Sequence, residues 1–325
     1  MKFFCFGLYP SALLSVIAGS NFNYTSLLES QGFESVNKPD DADFFVCIDV
    51  KRSEFGRLSE RIDNKLSILV RQEPAIVCPS NYDSRFTSKF NFVIDVGRES
   101  KISKEIFPWP QFWPTANLEN SSRLQDEVVL VSGNKLSLIQ GELYSLRRQC
   151  IQNIPMVSHY GTNWDMNFLR KMKEILVVGL ETVRSGLVPD YKGARYFFRK
   201  YPNWQGSPID KRVCVERYKY SLVIENSADY LSEKLFDAFF TKTLPIYVGP
   251  NLDKYGIPSN LVIECAPNLD SIKEGISRAY AKDYDNWCRE LNAYLDLPST
   301  RAKWDGYGGY QQIVKKIKEL VLGSI

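Results

Sequence analysis

Histidine is nearly absent from this sequence: His159 is the only one in 325 residues. With it go the chemistries that need two or more imidazoles, and there is no HExxH helix and no Cys/His cluster to bind zinc. No GxSxG elbow or GxxxxGK[ST] phosphate loop occurs either, so hydrolase-type nucleophiles and P-loop phosphate binding drop out on inventory. Seven cysteines (Cys5, Cys47, Cys78, Cys150, Cys214, Cys265 and Cys288) are odd in number and show no CxxC spacing, which fits a reduced, cytoplasmic setting. An excess of one charge sign is also missing, since 41 Lys and Arg stand against 38 Asp and Glu. A formal charge of +3 does not suggest a nucleic-acid-binding surface. No segment reaches the roughly 18 uninterrupted apolar residues of a membrane span. The apolar stretch from Phe3 to Ala18 is broken by Pro10 and preceded by one lysine, so it reads as the first strand and helix of a fold rather than as a signal peptide.

What is present is a soluble-protein balance, 44% hydrophobic and 24% charged, in a chain long enough for two domains and a cleft. Apolar strands alternate with helical patterns. Lys2 to Gly7, Ala42 to Val50, Leu66 to Arg71 and Phe90 to Val96 read as strands, with helical patterning over Ala12 to Glu34 and Leu58 to Asn64. Pro108 to Pro114 and the polar run Asn117 to Gln125 mark a linker. A second unit follows, with strands at Val128 to Ser132, Met156 to Tyr160, Tyr220 to Ile224 and Leu244 to Val248. Its helices are Gly141 to Asn153, Asp165 to Thr182 and Tyr230 to Thr241, and Arg184 to Asp210 is an irregular insertion. Phe168, Met172, Leu176 and Leu180 give the Asp165 helix its apolar period. Leu269 to Ala281 and Tyr310 to Leu322 are helical. Such alternation predicts parallel α/β sheets with ligand loops at the carboxyl ends of the strands. The expected division is 1–125, 126–300 and a C-terminal helical segment 301–325.

The densest polar pattern is YKYSLVIENSADYLSEKLFDAFFTKTLPIYVGP, from Tyr218 to Pro250. Glu225, Asn226 and Ser227 end an apolar strand, Asp229 is placed as the N-cap of the next helix, and Lys234 offers a cation near the helix start. Phe236, Phe239 and Phe240 are expected under that helix as core. The segment resembles the donor-binding signature of the α1,3/4-fucosyltransferases (glycosyltransferase family 10). The resemblance implies an α/β GT-B fold, two Rossmann-like domains facing across a cleft. It also implies an inverting, metal-independent enzyme with no cofactor beyond a GDP-sugar co-substrate, moving L-fucose to a glycan hydroxyl, by analogy O3 of N-acetylglucosamine. On that resemblance Asn226, Tyr230, Glu233 and Lys234 contact the GDP-sugar. The single Ala228 between Asn226-Ser227 and Asp229-Tyr230 is a shorter spacer than the family usually shows, so another sugar nucleotide or a polysaccharide acceptor stays open, as does a binding module without turnover.

Two shorter stretches are also similar to the family. In VVLVSGNKLSLIQGELYSLRRQCIQNI the resemblance makes Arg147 the arginine that grips the donor, with Arg148 as fallback, and Tyr160-Gly161 echoes a Tyr-Gly after the next strand. In LSILVRQEP, Glu73 precedes Pro74 directly after a strand, and the resemblance makes it the base that deprotonates the acceptor hydroxyl. His159 is read as structural or donor-side. Asp40, Asp41 and Asp43 are read as a turn rather than a metal-binding DxD, and the sequons at Asn23 and Asn120 as loop residues. Lys315, Lys316 and Lys318 are read as a solvated helix face, with a weak peripheral membrane contact as the alternative.

Overall fold

The computed structural model describes residues 1–8, 15–17, 20–99, 106–109, 111 and 123–324. The chain divides into two compact units, Met1–Thr115 with Arg184–Leu187 and Arg301–Ile325, and Ala116–Val183 with Val188–Thr300. In the first unit β1 (Lys2–Gly7), β2 (Ser15–Ile17), β3 (Ser20–Phe22), α1 (Tyr24–Ser30), β4 (Glu34–Ser35), β5 (Phe44–Ile48), α2 (Arg52–Asp63), β6 (Leu66–Arg71), α3 (Ser84–Thr87) and β7 (Phe92–Asp95) follow in order. Its main sheet is parallel, in the order β4-β1-β5-β6-β7. All five residues of β5 are buried, as expected of a strand covered on both faces.

The second unit holds β8 (Leu124–Val131), α4 (Tyr144–Asn153), β9 (Val157–Tyr160), α5 (Phe168–Arg184), α6 (Ala194–Phe197), α7 (Lys211–Val215), β10 (Tyr218–Ile224), α8 (Lys234–Phe240), β11 (Leu244–Val248), β12 (Ile263–Glu264), α9 (Leu269–Tyr280) and α10 (Tyr284–Asp296). Its sheet is again parallel, in the order β12-β11-β10-β8-β9. Two helices close the chain, α11 (Pro298–Trp304) and α12 (Gly306–Leu322). The last one packs on the first sheet: Ile313, Val314, Ile317 and Val321 join Phe3, Phe44 and Val46 in one core, and Tyr310 meets Tyr24 edge to face at 5.5 Å. Both units are therefore Rossmann-like.

Several expectations change. Among the described residues of Ala12 to Glu34, helical structure is confined to α1, where Asn23 and Ser26 form a reciprocal capping box that starts the helix. Before it, β2 and β3 pair antiparallel. Helix α2 begins at Arg52, six residues earlier than Leu58, since Phe55 extends the buried stripe of Leu58 and Ile62 by one turn. Helix α10 was not foreseen, although Trp287, Leu291 and Tyr294 carry its buried face at helical spacing. The linker expected at Pro108 to Pro114 and Asn117 to Gln125 lies largely outside the described residues, as does the Asn120 sequon.

Pro39–Asp41 forms a 3-10 turn, with Asp40 2.6 Å from Arg61 and Asp43 accepting from the Lys2 backbone. Among the C-terminal lysines, Lys318 donates to the Gln31 carbonyl and Lys316 lies 3.8 Å from Glu319.

His159 sits in β9 at 0% exposure, edge-on to Trp164 at 5.1 Å and to Tyr201 at 6.3 Å. Neither ring nitrogen has a hydrogen-bond partner among the described residues. Desolvation lowers its pKa to about 4, so the ring is neutral and part of the core. An unfolded chain would protonate it near 6.5. The folded state therefore holds an advantage above pH 6.5 that drains away as pH falls towards 4. With one histidine in the chain, its imidazole NMR signal needs no assignment, and we expect a midpoint near pH 4; titration near 6.5 in the folded protein would reject the buried neutral ring.

Candidate functional site

Strand β10 is apolar up to Ile224, and the next three residues are Glu225, Asn226 and Ser227, all buried. The run of polar side chains begins at the carboxyl edge of the sheet, where the Glu225 N–H still donates to the Val248 carbonyl of β11 at 2.8 Å and where parallel α/β sheets bind ligands. Arg147, on α4, reaches that edge with 3% exposure. Its Nε and Nη2 donate to the Ile224 carbonyl at 3.2 and 2.6 Å, and Nη2 also donates to Asn226 Oδ1 at 3.0 Å. Leu143 N–H donates to the Asn226 carbonyl at 3.0 Å, so α4 and the end of β10 are tied through side chain and backbone. Burial lowers the Arg147 pKa, and the Tyr144 ring under its guanidinium, 4.9 Å away, is part of the counterweight.

Arg148 does something else. It donates to Asn134 Oδ1 at 2.9 Å and to the Lys135 carbonyl, and its guanidinium lies over Phe197. Burial brings its pKa down to about 10, which leaves it charged near neutrality. It holds the loop after β8 in place.

The segment after β10 differs from its expected form. Helix α8 starts at Lys234 with Glu233 as N-cap, not at Tyr230 with Asp229 as cap. Asp229 is exposed and accepts from Ser227 Oγ at 2.7 Å, which engages both groups in the loop and leaves them away from the helix start. Glu225, fully buried, directs this loop: Oε1 accepts from Ser232 N–H at 3.0 Å, and Oε2 accepts from Ser232 Oγ at 2.6 Å and from Lys234 Nζ at 3.3 Å. Lys234 also donates to Ser232 Oγ at 2.8 Å. Tyr230 is 2% exposed and belongs to the interior. The Glu233 side chain is half-exposed, 3.9 Å from Lys234 Nζ and 4.0 Å from Lys211 Nζ. Phe236, Phe239 and Phe240 are buried under the helix.

Beside Lys234 lies a small pocket lined by Ser132, Ile224, Lys211 and Asp237, among others. Asp237 takes Lys211 at 2.7 Å and Arg212 at 3.0 Å. Ser132 Oγ is buried and has no partner among the described residues. Gly161 shapes this rim: its φ is +137°, and a Cβ there would collide with the Ser132 carbonyl. Lys211 and Ser132 were not singled out from the sequence. Lys211 opens the short helix α7 directly after the irregular insertion, where no periodicity points to Asp237.

Glu73 lies in the other unit, half-buried just past β6. Its backbone N–H and that of Gln72 donate to Asp49 Oδ1 at 3.2 and 2.9 Å, and Asn81 Nδ2 donates to the Glu73 carbonyl at 3.2 Å. Asp49 is a residue that sequence reasoning missed. It follows β5 at φ +52°, an αL position that aspartate tolerates better than most, and its Oδ2 is buried without a partner among the described residues. Desolvation raises its pKa to about 7 against three hydrogen bonds that pull the other way. At the end of the neighbouring β7, Asp95 binds Arg71 through both oxygens at 2.8 Å. The guanidiniums of Arg71 and Arg98 lie 4.7 and 4.6 Å from the Tyr82 ring. The structure thus brings Arg147, Asn226, Glu233 and Lys234 to one strand end, buries Tyr230 nearby, and gives Glu73 a separate, well-held loop.

Among solved structures, an α1,3-fucosyltransferase, also solved with GDP and with GDP-fucose, superposes with a TM-score of 0.56 at 14% identity over 98% of this chain and 89% of its own. Sucrose-phosphate synthase from Thermosynechococcus elongatus gives 0.55 at 11% identity over 99% and 100%. Anabaena HepE, in complex with UDP and glucose, gives 0.53 at 9% identity over 98% and 100%. The fold is that of the GT-B glycosyltransferases. No family model matches the sequence, and no curated protein matches it.

Removing Arg147 would strand the Ile224 carbonyl and the Asn226 amide oxygen in a buried site. We expect Arg147→Ala to cost about 1–3 kcal/mol of folding free energy. Chemical denaturation of the variant checks this, and a midpoint equal to wild type would show that the guanidinium does not hold the end of β10.

Proposed function

We propose that the chain is an inverting glycosyltransferase that moves L-fucose from GDP-fucose to a glycan hydroxyl. The carrying observation is the convergence of Arg147, Asn226 and Lys234 at the carboxyl end of β10, within the segment that resembles the fucosyltransferase donor signature. The fold shared with an α1,3-fucosyltransferase over nearly the whole chain supports it. In this reading the second unit binds the donor and the first, through Glu73, the acceptor.

Lys234 and Arg147 carry the charge that a departing diphosphate needs, which is a task for preorganised cations in a water-poor site. Nε and Nη2 of Arg147 are spent on β10, so its guanidinium acts from a fixed position, and Lys234 Nζ supplies the nearer, movable charge. Glu233, at the same rim, is placed to accept from sugar or ribose hydroxyls. Glu73 takes the proton of the acceptor hydroxyl as that oxygen attacks the anomeric carbon and the bond to the diphosphate breaks. A single displacement inverts the anomeric centre, so a β-linked donor gives an α-linked product. No metal or cofactor enters this scheme.

A second reading keeps the reaction and changes the donor. It is favoured by the one-residue spacer Ala228 and by the UDP and glucose bound in HepE. Incubation with a panel of sugar nucleotides, reading GDP or UDP release with and without acceptor, separates the two and also the case of binding without turnover. We expect GDP-fucose to turn over in excess EDTA and Lys234→Ala to weaken GDP binding by about tenfold or more. Loss of activity on chelation, restored by manganese, would overturn the metal-free scheme, and unchanged GDP affinity in Lys234→Ala would remove the lysine from the donor site.

Glu73→Gln keeps the shape and most hydrogen bonding of the side chain but removes its basicity. Turnover should fall by about 10²–10⁴-fold while donor affinity stays near wild type. A folded Glu73→Gln protein with normal turnover would reject the assignment.

A further inference from the structure

Helix α5 buries one narrow face. Lys171, Gly179 and Thr182 are covered, and Ile175 and Val178 pack against Leu136, Leu138, Met166 and Phe197. The adjoining face is apolar and uncovered: Leu169 is 78% exposed, Leu176 61%, Leu180 56% and Val183 59%, with Met172 at 38% between them. On a helix of 3.6 residues per turn these five fall on one side, and Phe168, 65% exposed, extends the stripe at its start. Single exposed apolar residues need no explanation, but a contiguous stripe along a whole helix marks a surface that meets something.

The charge around the stripe says what. Residues 165–200, which contain α5 and the segment after it, hold eight Lys and Arg against four Asp and Glu, a surplus of four in a chain whose total is +3. Lys173 borders the apolar stripe and Arg170 lies beyond it, while both acids of the helix, Glu174 and Glu181, fall on the side away from the stripe. On the other flank the returning chain brings Tyr191 against Gly179, followed by exposed Lys192 and Arg195. A basic border on an apolar stripe repels a second copy of itself, since paired copies would set like charges side by side. It complements an anionic headgroup layer with acyl chains beneath. The 17-residue helix carries too many charges to span a bilayer and has the shape of one that lies in its surface.

We infer that α5 docks this chain on an anionic lipid surface, with Leu169, Met172, Leu176, Leu180 and Val183 entering the interface and Lys173 and Lys192 among the headgroups. The surface lies outside the residues assigned to donor and base, so the inference does not depend on the reaction proposed above.

The test is flotation of the full chain with phosphatidylcholine vesicles containing or lacking phosphatidylglycerol. Binding is expected to the anionic vesicles, to weaken with added salt, and to fall by about tenfold or more in Leu176→Glu/Leu180→Glu. Lys173→Glu should lower it by a smaller factor. The double variant should keep the wild-type thermal melt, because both side chains are solvent-exposed. Absence of wild-type binding to the anionic vesicles at low salt overturns the inference, and so does full binding by the folded double variant. A concentration-dependent dimer that the same two changes abolish, with no vesicle binding, would assign the face to a second copy and likewise overturn it.

Discussion

The second unit depends on one buried cation. Arg147 leaves α4, crosses to the end of β10 and binds the Ile224 carbonyl, the last of that strand. A guanidinium at 3% exposure has lost most of its hydration, which costs several kcal/mol unless hydrogen bonds replace it. The replacement comes from a backbone carbonyl and the Asn226 amide, both neutral acceptors, while the carboxylates of Glu225, Glu142 and Glu233 act on the guanidinium from further off. Arg147 is therefore both a strut and a fixed source of positive potential, and the loop from Glu225 to Lys234 is built around the position it sets. Asp237, Lys211 and Arg212 add a second ionic cluster along α8.

Where burial decides the structure, the sequence was a good guide. The bounds of β1, β6 and β11 coincide with their apolar runs, and the parallel arrangement follows from strands buried on both faces. Helix starts were less legible. Asp229 has the residue type of an N-cap, but Ser227 Oγ engages its carboxylate, and the helix begins five residues later at Lys234. That competition is a tertiary fact, invisible in a propensity. The period of α5 was legible and its meaning was not: Phe168, Leu176 and Leu180 recur at the spacing of a buried face, yet they point to solvent. Periodicity shows that a face exists, not what covers it.

The loop after β6 shows the same limit at a single residue. Nothing in the run Phe44 to Val50 distinguishes Asp49 from a polar residue ending a strand. Its role follows from φ +52°, which turns the carboxylate back under the neighbouring loop to receive the N–H groups of Gln72 and Glu73. Two buried backbone donors are satisfied by one oxygen, while the other oxygen has no partner among the described residues. Ionisation is accordingly opposed by desolvation, and Glu73 adds a like charge that opposes it further. Asp49 thus fixes the backbone of the half-buried Glu73 through its carboxylate.

Lys234, beside the end of β10, stands in a related charge balance. Its ammonium is held by Glu225 and Ser232. A diphosphate can recruit it only by competing with a carboxylate at 0% exposure, whose abandonment would be costly if the lysine were its sole partner. It is not: Ser232 supplies both its N–H and its hydroxyl to Glu225. In the proposed reading those two bonds keep part of the carboxylate's hydrogen bonding while Nζ turns outward, so Ser232 lowers the cost of freeing the lysine's charge. A Lys–Glu pair in this position would otherwise be a closed, neutral unit with little pull on an anion. In the proposed reading the short Glu225-to-Ser232 loop, rather than the helix that follows it, sets how strongly this strand end attracts a phosphate.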